Sequence, residues 1–208
     1  MGAGMLRAKV DRPEKTLCVT GCPRSGTRYF YRVLSRAHVL PVRHEHMGEE
    51  GTINGLWAVN DTQGRNRHKR DDFVFKHRWH QTRHPLSQIV SMREHFKKTQ
   101  SFWHFQEQHT GVPALAPSWR EDSFEREARF WLAWNDLASD WCQWQYRIED
   151  VEGVWPRMVE ALERPGTAFP QGLLKNVNAC VHEEIGWDDL GAWAAPVQKR
   201  AVQYGYTE

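Results

Sequence analysis

The sequence predicts an α/β protein: one domain of 208 residues whose central, mostly parallel sheet lies between helical layers in a three-layer sandwich. Segments rich in β-branched and apolar residues alternate with segments whose apolar residues recur at helical spacing. The clearest β-type segments, Thr16–Thr20 and Phe73–Arg83, are each followed by a helix-type segment. Right-handed crossovers would place the carboxyl ends of all strands at one edge, where such sheets bind ligands.

The first half of the chain begins with a charged lead-in over residues 1–15 and a strand over Thr16–Thr20. A helix is predicted over Gly26–Ala37, with four apolar side chains facing the sheet: Tyr29, Phe30, Val33 and Leu34. Pro41 places the next short strand near an edge of the sheet. The further elements predicted here are a strand over Val39–Arg43, a loop over His44–Gly51, a helix over Thr52–Asn60 and a basic loop over Asp61–Asp72.

The second half opens with the strand over Phe73–Arg83, and Pro85 suits the first position of the helix that follows. Segment 99–122 is too long for a plain connector, and its aromatic residues indicate either a lid over an acceptor or ordinary packing of rings. The remaining predictions are a helix over Pro85–Lys98, a helix from Ser123 to Gln143, a strand over Gln145–Glu149, a helix over Val151–Leu162 and short helices over Trp187–Trp193 and Val197–Gln203.

Composition limits the classes of function. A net charge of +2 is too small for a general nucleic-acid binder, so any anion site must be local. No apolar run approaches the roughly 20 residues of a membrane span, and charged residues interrupt the start of the chain where a signal peptide would lie. We therefore expect a cytoplasmic protein. We interpret its four cysteines as free thiols: Cys18, Cys22, Cys142 and Cys180.

The stretch from Leu17 to Leu34 has the design of a phosphate cradle. Gly21 and Gly26 bound a turn between strand and helix, so backbone N–H groups can point at one anion. The helix dipole and the charges of Arg24 and Arg28 add to the same place. The glycine spacing matches the Walker nucleotide loop, but Thr27 and Arg28 stand where that loop has Lys and Ser or Thr.

A second motif lies at the next strand–helix junction. Arg83 ends the strand, and Ser91 follows eight residues later, about two turns into the helix. Arg offers a planar fork of donors to a phosphate, and Ser adds a neutral donor from another direction.

Together these two motifs resemble those of the P-loop sulfotransferases that use 3′-phosphoadenosine 5′-phosphosulfate (PAPS), in their bacterial-type branch. The resemblance implies a P-loop NTPase-like fold and release of adenosine 3′,5′-bisphosphate. It implies that the 5′-phosphosulfate is bound by Arg24, Ser25, Gly26, Thr27 and Arg28, and the 3′-phosphate by Arg83 and Ser91. Trp131–Asn135 is similar to a helix of bacterial members, and Tyr146–Val151 to another family segment. Arg28 and Ile148 depart from the family pattern, which has Thr and Tyr there.

The loop His44-Glu45-His46 is expected to supply the catalytic base. The resemblance favours Glu45, and His44 or His46 are the alternatives. Because an ordinary Glu pKa is near 4.3, partial burial of Glu45 should raise its pKa. Glu45 could instead form an ion pair with Arg43 or Arg83. His80 and His84 straddle a strand end, so we predict no metal site. His80 and Gln81 are instead expected to line the active-site edge.

The sequence thus predicts an enzyme, a sulfotransferase that moves a sulfuryl group from PAPS to a hydroxyl, or an amine, of a carbohydrate or small-molecule acceptor. A P-loop kinase or NTPase is the alternative enzyme, disfavoured by the missing Lys after Gly26 and by the lack of an acidic strand end. An inert nucleotide-binding scaffold that keeps the cradle is the alternative outside enzymes.

Overall fold

The computed structural model describes residues 12–59, 70–114, 123–173 and 183–207. Its strands are β1 (Glu14–Thr20), β2 (Val42–His44), β3 (Gly51–Ile53), β4 (Val74–Thr82) and β5 (Trp144–Arg147). Its α-helices are α1 (Thr27–Arg36), α2 (Pro85–Phe96), α3 (Gln100–Thr110), α4 (Glu125–Trp141), α5 (Val151–Ala161) and α6 (Ala194–Gln203). Short 3₁₀ helices occupy Gly55–Val59, Arg70–Asp72, Ile148–Asp150 and Trp187–Trp193.

The five strands form one all-parallel sheet in the order β2-β3-β1-β4-β5. In the central strand, Val19 pairs with Ile53 of β3 and with Trp79 of β4. Because all strands run the same way, the loops after β1, β3 and β4 leave the sheet side by side. The predicted α/β class and parallel sheet are therefore confirmed.

Helices flank the sheet. On one face, Leu17 and Val19 of β1 share a buried apolar cluster with α1 and α5. The four α1 side chains predicted to face the sheet are all buried there: Tyr29, Phe30, Val33 and Leu34. A second cluster joins α2, α4 and α6, with Trp131 and Trp134 fully buried in it. No helix within the described ranges is long and apolar enough to cross a membrane.

The helix predicted over Thr52–Asn60 is wrong. Gly51–Ile53 forms β3, inserted between β1 and β2, and only Gly55–Val59 makes a helical turn. A Cβ at Gly51 would lie 1.8 Å from the carbonyl oxygen of Leu17, and the φ of Gly51 is 152°. Only glycine lets the chain approach β1 this closely. A three-residue strand is too short to show alternation in sequence.

Other boundaries shift by smaller amounts. Strand β2 begins only after Pro41 and lies at the sheet edge, as proline predicted. The segment that begins at residue 99 contains helix α3, whose Trp103 is buried against Phe130, so packing of rings explains at least this part. Residues 115–122, most of the predicted basic loop, Cys180 and residues 1–11 lie outside the described residues.

We predict that Gly51→Val destabilises the fold by about 3 kcal/mol or more, because its side chain must displace the backbone of β1. Urea unfolding followed by circular dichroism measures the change. The matched control is Gly153→Ala in α5, where nothing lies within 4 Å of a new Cβ. That change should stabilise the protein by about 0.5–1 kcal/mol. Equal stability of Gly51→Val and wild type would contradict the argument.

Candidate anion-binding site

The loop between β1 and α1 is held from behind through its backbone carbonyl groups. Five consecutive carbonyls, from Gly21 to Ser25, accept hydrogen bonds from four side chains. The donors are Trp134 Nε1 to Gly21 (3.1 Å), Gln88 Nε2 to Cys22 and Pro23 (2.9 Å each), Arg83 Nη1 to Arg24 (3.1 Å) and Gln81 Nε2 to Ser25 (2.7 Å). The predicted cradle therefore has a fixed orientation.

The N–H of a planar trans peptide points opposite to its carbonyl. Because the carbonyls of Pro23 and Ser25 point into the protein, the N–H groups of Arg24 and Gly26 point to the other side. On that side these N–H groups lie beside the start of α1, whose first amides have no partner inside the helix. Arg24 and Gly26 both have positive φ, 70° and 92°. The loop is thus built to present donors to an anion.

Glycine is required at both ends of this loop. A Cβ at Gly21 would lie 2.3 Å from the carbonyl oxygen of Gln81, so the loop could not lie against β4. A Cβ at Gly26 would lie 3.1 Å from Cγ1 of Ile148. Ile148, one of the two departures from the family pattern, therefore packs against the cradle.

A second layer of donors orients the glutamines. Trp131 Nε1 donates to Gln88 Oε1 (3.0 Å), and the hydroxyl of Tyr146 donates to Gln81 Oε1 (2.7 Å). Burial raises the pKa of Tyr146 well above its ordinary value, so the hydroxyl keeps its proton. The sequence did not single out Gln81, Gln88 or Tyr146 as loop supports. Their only signal was position, just before or after the predicted strand ends.

The two predicted motifs meet directly. Arg24 Nε donates to Ser91 Oγ (3.0 Å), while Arg83 donates to the carbonyl of Arg24. Burial lowers the pKa of Arg83, Glu149 opposes this shift and Arg24 adds to it. Ser91 is buried, and Arg83 and Arg24 are half-buried. Two half-buried guanidinium groups repel one another, and an anion between them would relieve that cost.

The segment around Glu149 closes the other side of Arg83. Glu149 accepts hydrogen bonds from the His84 amide (2.9 Å) and from the Tyr206 hydroxyl (3.0 Å). The ring of His84 lies edge-on to that of Tyr206, with centroids 5.4 Å apart. The carboxylate of Glu149 therefore offsets part of the electrostatic cost of burying Arg83.

His44 lies closer to the cradle than Glu45 does. His44 Nε2 is 3.4 Å from Thr27 Oγ1, and His44 Nδ1 is 3.8 Å from Glu45 Oε1. The side chain of His44 is 19% exposed and that of Glu45 52% exposed, so the burial predicted for Glu45 is found at His44 instead. Burial lowers the pKa of His44; Glu45 opposes this shift, and Arg28 and His46 add to it.

Three expectations for neighbouring residues need correction. His80 is fully buried, where Nε2 lies 2.9 Å from Asn135 Oδ1 and burial lowers its pKa to about 4, so it does not line the ligand edge. Glu45 pairs with His44 and not with Arg43 or Arg83. Gln81 is also fully buried, and its side chain supports the loop from behind instead of lining the ligand edge.

No three His, Cys, Asp or Glu side chains within the described ranges are grouped as metal ligands.

Comparisons with protein-family models, with curated proteins and with solved structures returned no match for this chain.

We predict that Gln88→Met lowers the free energy of unfolding by about 2 kcal/mol, because it leaves the Pro23 carbonyl and the Trp131 indole N–H without partners. The Cys22 carbonyl loses one of its two donors and keeps the Ser25 amide. Chemical denaturation measures the loss. Gln145→Met is the control, since Gln145 is exposed on β5 and its change should stay within about 0.5 kcal/mol. If Gln88→Met and Gln145→Met lower the free energy of unfolding by the same small amount, the hydrogen bonds from Gln88 to the loop do not stabilise the fold.

Proposed function

We propose that this chain is a PAPS-dependent sulfotransferase with the P-loop NTPase-like sulfotransferase fold. It transfers a sulfuryl group to a hydroxyl, or an amine, of a carbohydrate or small-molecule acceptor. The contact that carries the proposal is the hydrogen bond from Arg24 to Ser91, which joins the amide cradle to the Arg83–Ser91 pair. One edge of the sheet therefore offers two adjacent places for anionic groups.

The residues present fit a donor with two separate phosphate groups. The cradle offers amides and the Arg24 guanidinium, while Arg83 and Ser91 offer a second set of donors one helix away. The Ser25 hydroxyl is buried and has no hydrogen-bond partner among the described residues, so it remains able to donate to a ligand. Adenosine 3′,5′-bisphosphate carries a phosphate for each set, whereas ATP has none for Arg83 and Ser91.

Bound PAPS supplies an activated sulfuryl group: its S–O bond to the 5′-phosphate breaks while a bond forms from sulfur to the acceptor oxygen. Arg24 and the amides of the loop stabilise negative charge at the 5′ end. Arg83 and Ser91 hold the 3′-phosphate. Thr27 and Arg28, at the start of α1, lie on the acceptor side beside His44.

We assign the base to His44. The acceptor loses a proton as it attacks, and His44 Nε2 faces the cradle at Thr27. Its lowered pKa keeps the imidazole neutral, and therefore able to accept a proton, at physiological pH. Glu45, favoured from the sequence, lies near Nδ1, where its carboxylate stabilises the imidazolium that forms.

The kinase or NTPase alternative is weakened by the ends of the two strands beside β1. Strand β3 is followed by Asn54, and β4 by Arg83. Neither is a carboxylate that could help hold Mg²⁺ next to a nucleotide. The inert scaffold alternative predicts tight bisphosphate binding but no transfer to any acceptor.

We expect calorimetry to show tighter binding of adenosine 3′,5′-bisphosphate than of ATP. Arg83→Ala should weaken bisphosphate binding about 10–100-fold, because a charge-assisted contact to phosphate is lost. ATP affinity should change much less. Lys199→Ala, an exposed cation on α6, is the control and should leave both affinities unchanged. A preference for ATP would overturn the assignment of the donor.

The base is tested by the pH dependence of sulfate transfer to a screened acceptor. Because the pKa of His44 is lowered, the rate should fall only as pH drops through a value below the ordinary 6.5. His44→Gln should slow transfer about 100-fold or more. Glu45→Gln removes the charge that raises the pKa of His44. The acid limb of the pH–rate profile should therefore move to lower pH, while much of the transfer rate at neutral pH is kept.

The opposite pattern, with transfer lost in Glu45→Gln and kept in His44→Gln, would make Glu45 the base. Bisphosphate affinity serves as the control for both variants and should be largely kept. Neither residue contacts Arg83 or Ser91, and a glutamine amide at position 44 can keep a polar contact to Thr27. Absence of transfer to every acceptor, with bisphosphate bound tightly, would support the scaffold alternative.

A further inference from the structure

Helix α1 carries a row of exposed arginines, Arg28, Arg32 and Arg36, at four-residue spacing. We call these three residues the arginine row. None of them forms an ion pair with a described acidic residue. The helix itself, Thr27–Arg36, contains no Asp or Glu. Residues four apart on a helix are neighbours, so three like charges face the same solvent.

The arrangement is unfavourable for an isolated helix. Arg28 lies in the first turn, where a cation opposes the helix dipole, and no acidic residue compensates for it. Arg32 then repels Arg28 at one-turn spacing. Arg36, in the last turn, is favourably placed for the dipole but extends the same row. A bound polyanion would relieve both repulsions.

The row begins at the cradle. Arg28 follows Thr27, whose hydroxyl lies 3.4 Å from His44, the proposed base. At a rise of about 1.5 Å per residue, Arg36 lies about 12 Å further along the helix axis. The arginine row therefore runs outward from the place where an acceptor hydroxyl must be, on the α1 face of the sheet.

We propose that the arginine row binds the acceptor, and that the acceptor is an anionic oligosaccharide with carboxylate or sulfate groups on successive sugars. This inference rests on the proposed function, because it takes His44 as the point of attack. Such a molecule offers both a hydroxyl for transfer and acidic groups along its length. The guanidinium fork matches the planar carboxylate and the oxygens of sulfate.

Single-stranded nucleic acid fits the row less well. Proteins that bind it combine cations with exposed aromatic faces on which bases stack. On α1 the rings of Tyr29 and Phe30 are buried in the core, and Tyr31 is half-buried beside His44. The row offers charge without stacking surfaces, which favours a saccharide.

The test uses dextran sulfate of defined length as the probe and neutral dextran of equal length as its uncharged match. Calorimetry is performed with saturating adenosine 3′,5′-bisphosphate, so that the cradle cations are occupied. Arg32→Gln/Arg36→Gln should weaken dextran sulfate binding about tenfold, because two exposed charge contacts are removed. Neutral dextran should bind neither the wild type nor the double variant. The double variant should bind bisphosphate as tightly as the wild type does.

The control variant removes two cations from the opposite side of the sheet. Arg129 and Lys199 line a groove of about 520 Å³ between α4 and α6, and Arg129→Gln/Lys199→Gln lowers the net charge equally. It should leave dextran sulfate binding unchanged. An equal loss in both double variants, or no loss in Arg32→Gln/Arg36→Gln, would overturn the proposal. So would an oligonucleotide of equal charge that binds the row as tightly as dextran sulfate.

The outcomes separate this inference from the proposed function. If bisphosphate does not bind but dextran sulfate binds through the arginine row, the sulfotransferase assignment fails and the polyanion site stands. If bisphosphate binds as expected and the row contributes nothing, only the choice of acceptor fails.

Discussion

The anchoring of five successive carbonyls is the constraint on which the rest of this site depends. A loop with glycine at both ends has little conformational preference of its own, and Arg24 adopts a φ of 70° that a non-glycine residue rarely adopts alone. Side chains from β4, α2 and α4 donate hydrogen bonds to the loop carbonyls, and these bonds fix the orientation of the peptide planes. The direction of the N–H groups, on which the proposed affinity for an anion depends, is a consequence of packing behind the loop.

Local charge follows from the same arrangement. The chain as a whole carries a net charge of only +2, yet Arg24, Arg83 and the start of α1 converge at one edge of the sheet. Burial of Arg83 makes this concentration more costly, and Glu149 offsets it in part. Bound negative groups would stabilise this arrangement, which is the physical basis on which we propose both the two-phosphate donor and the role of the arginine row.

The contrast between His44 and Glu45 shows how far neighbours in sequence can differ in environment. His44 ends β2 and Glu45 follows it, and either could be a base by residue type. Glu45 has a φ of 63° and lies largely in solvent, whereas His44 contacts Thr27 at the start of α1. Which of the two meets the cradle depends on how β2 and α1 pack, and a pattern of residue types does not contain that information.

The sequence by itself determined the features that arise from short-range preferences. These are the β1–loop–α1 unit, the buried face of α1, the alternation of strands and helices, and the placement of Arg83 and Ser91 at a strand–helix junction. Tertiary structure alone decided that Gly51–Ile53 is a strand, because its conformation comes from pairing with β1 across more than 30 residues of chain. It also decided that Gln81, Gln88 and Trp134 hold the cradle, since hydrogen bonds between distant segments leave no periodic signal in a sequence.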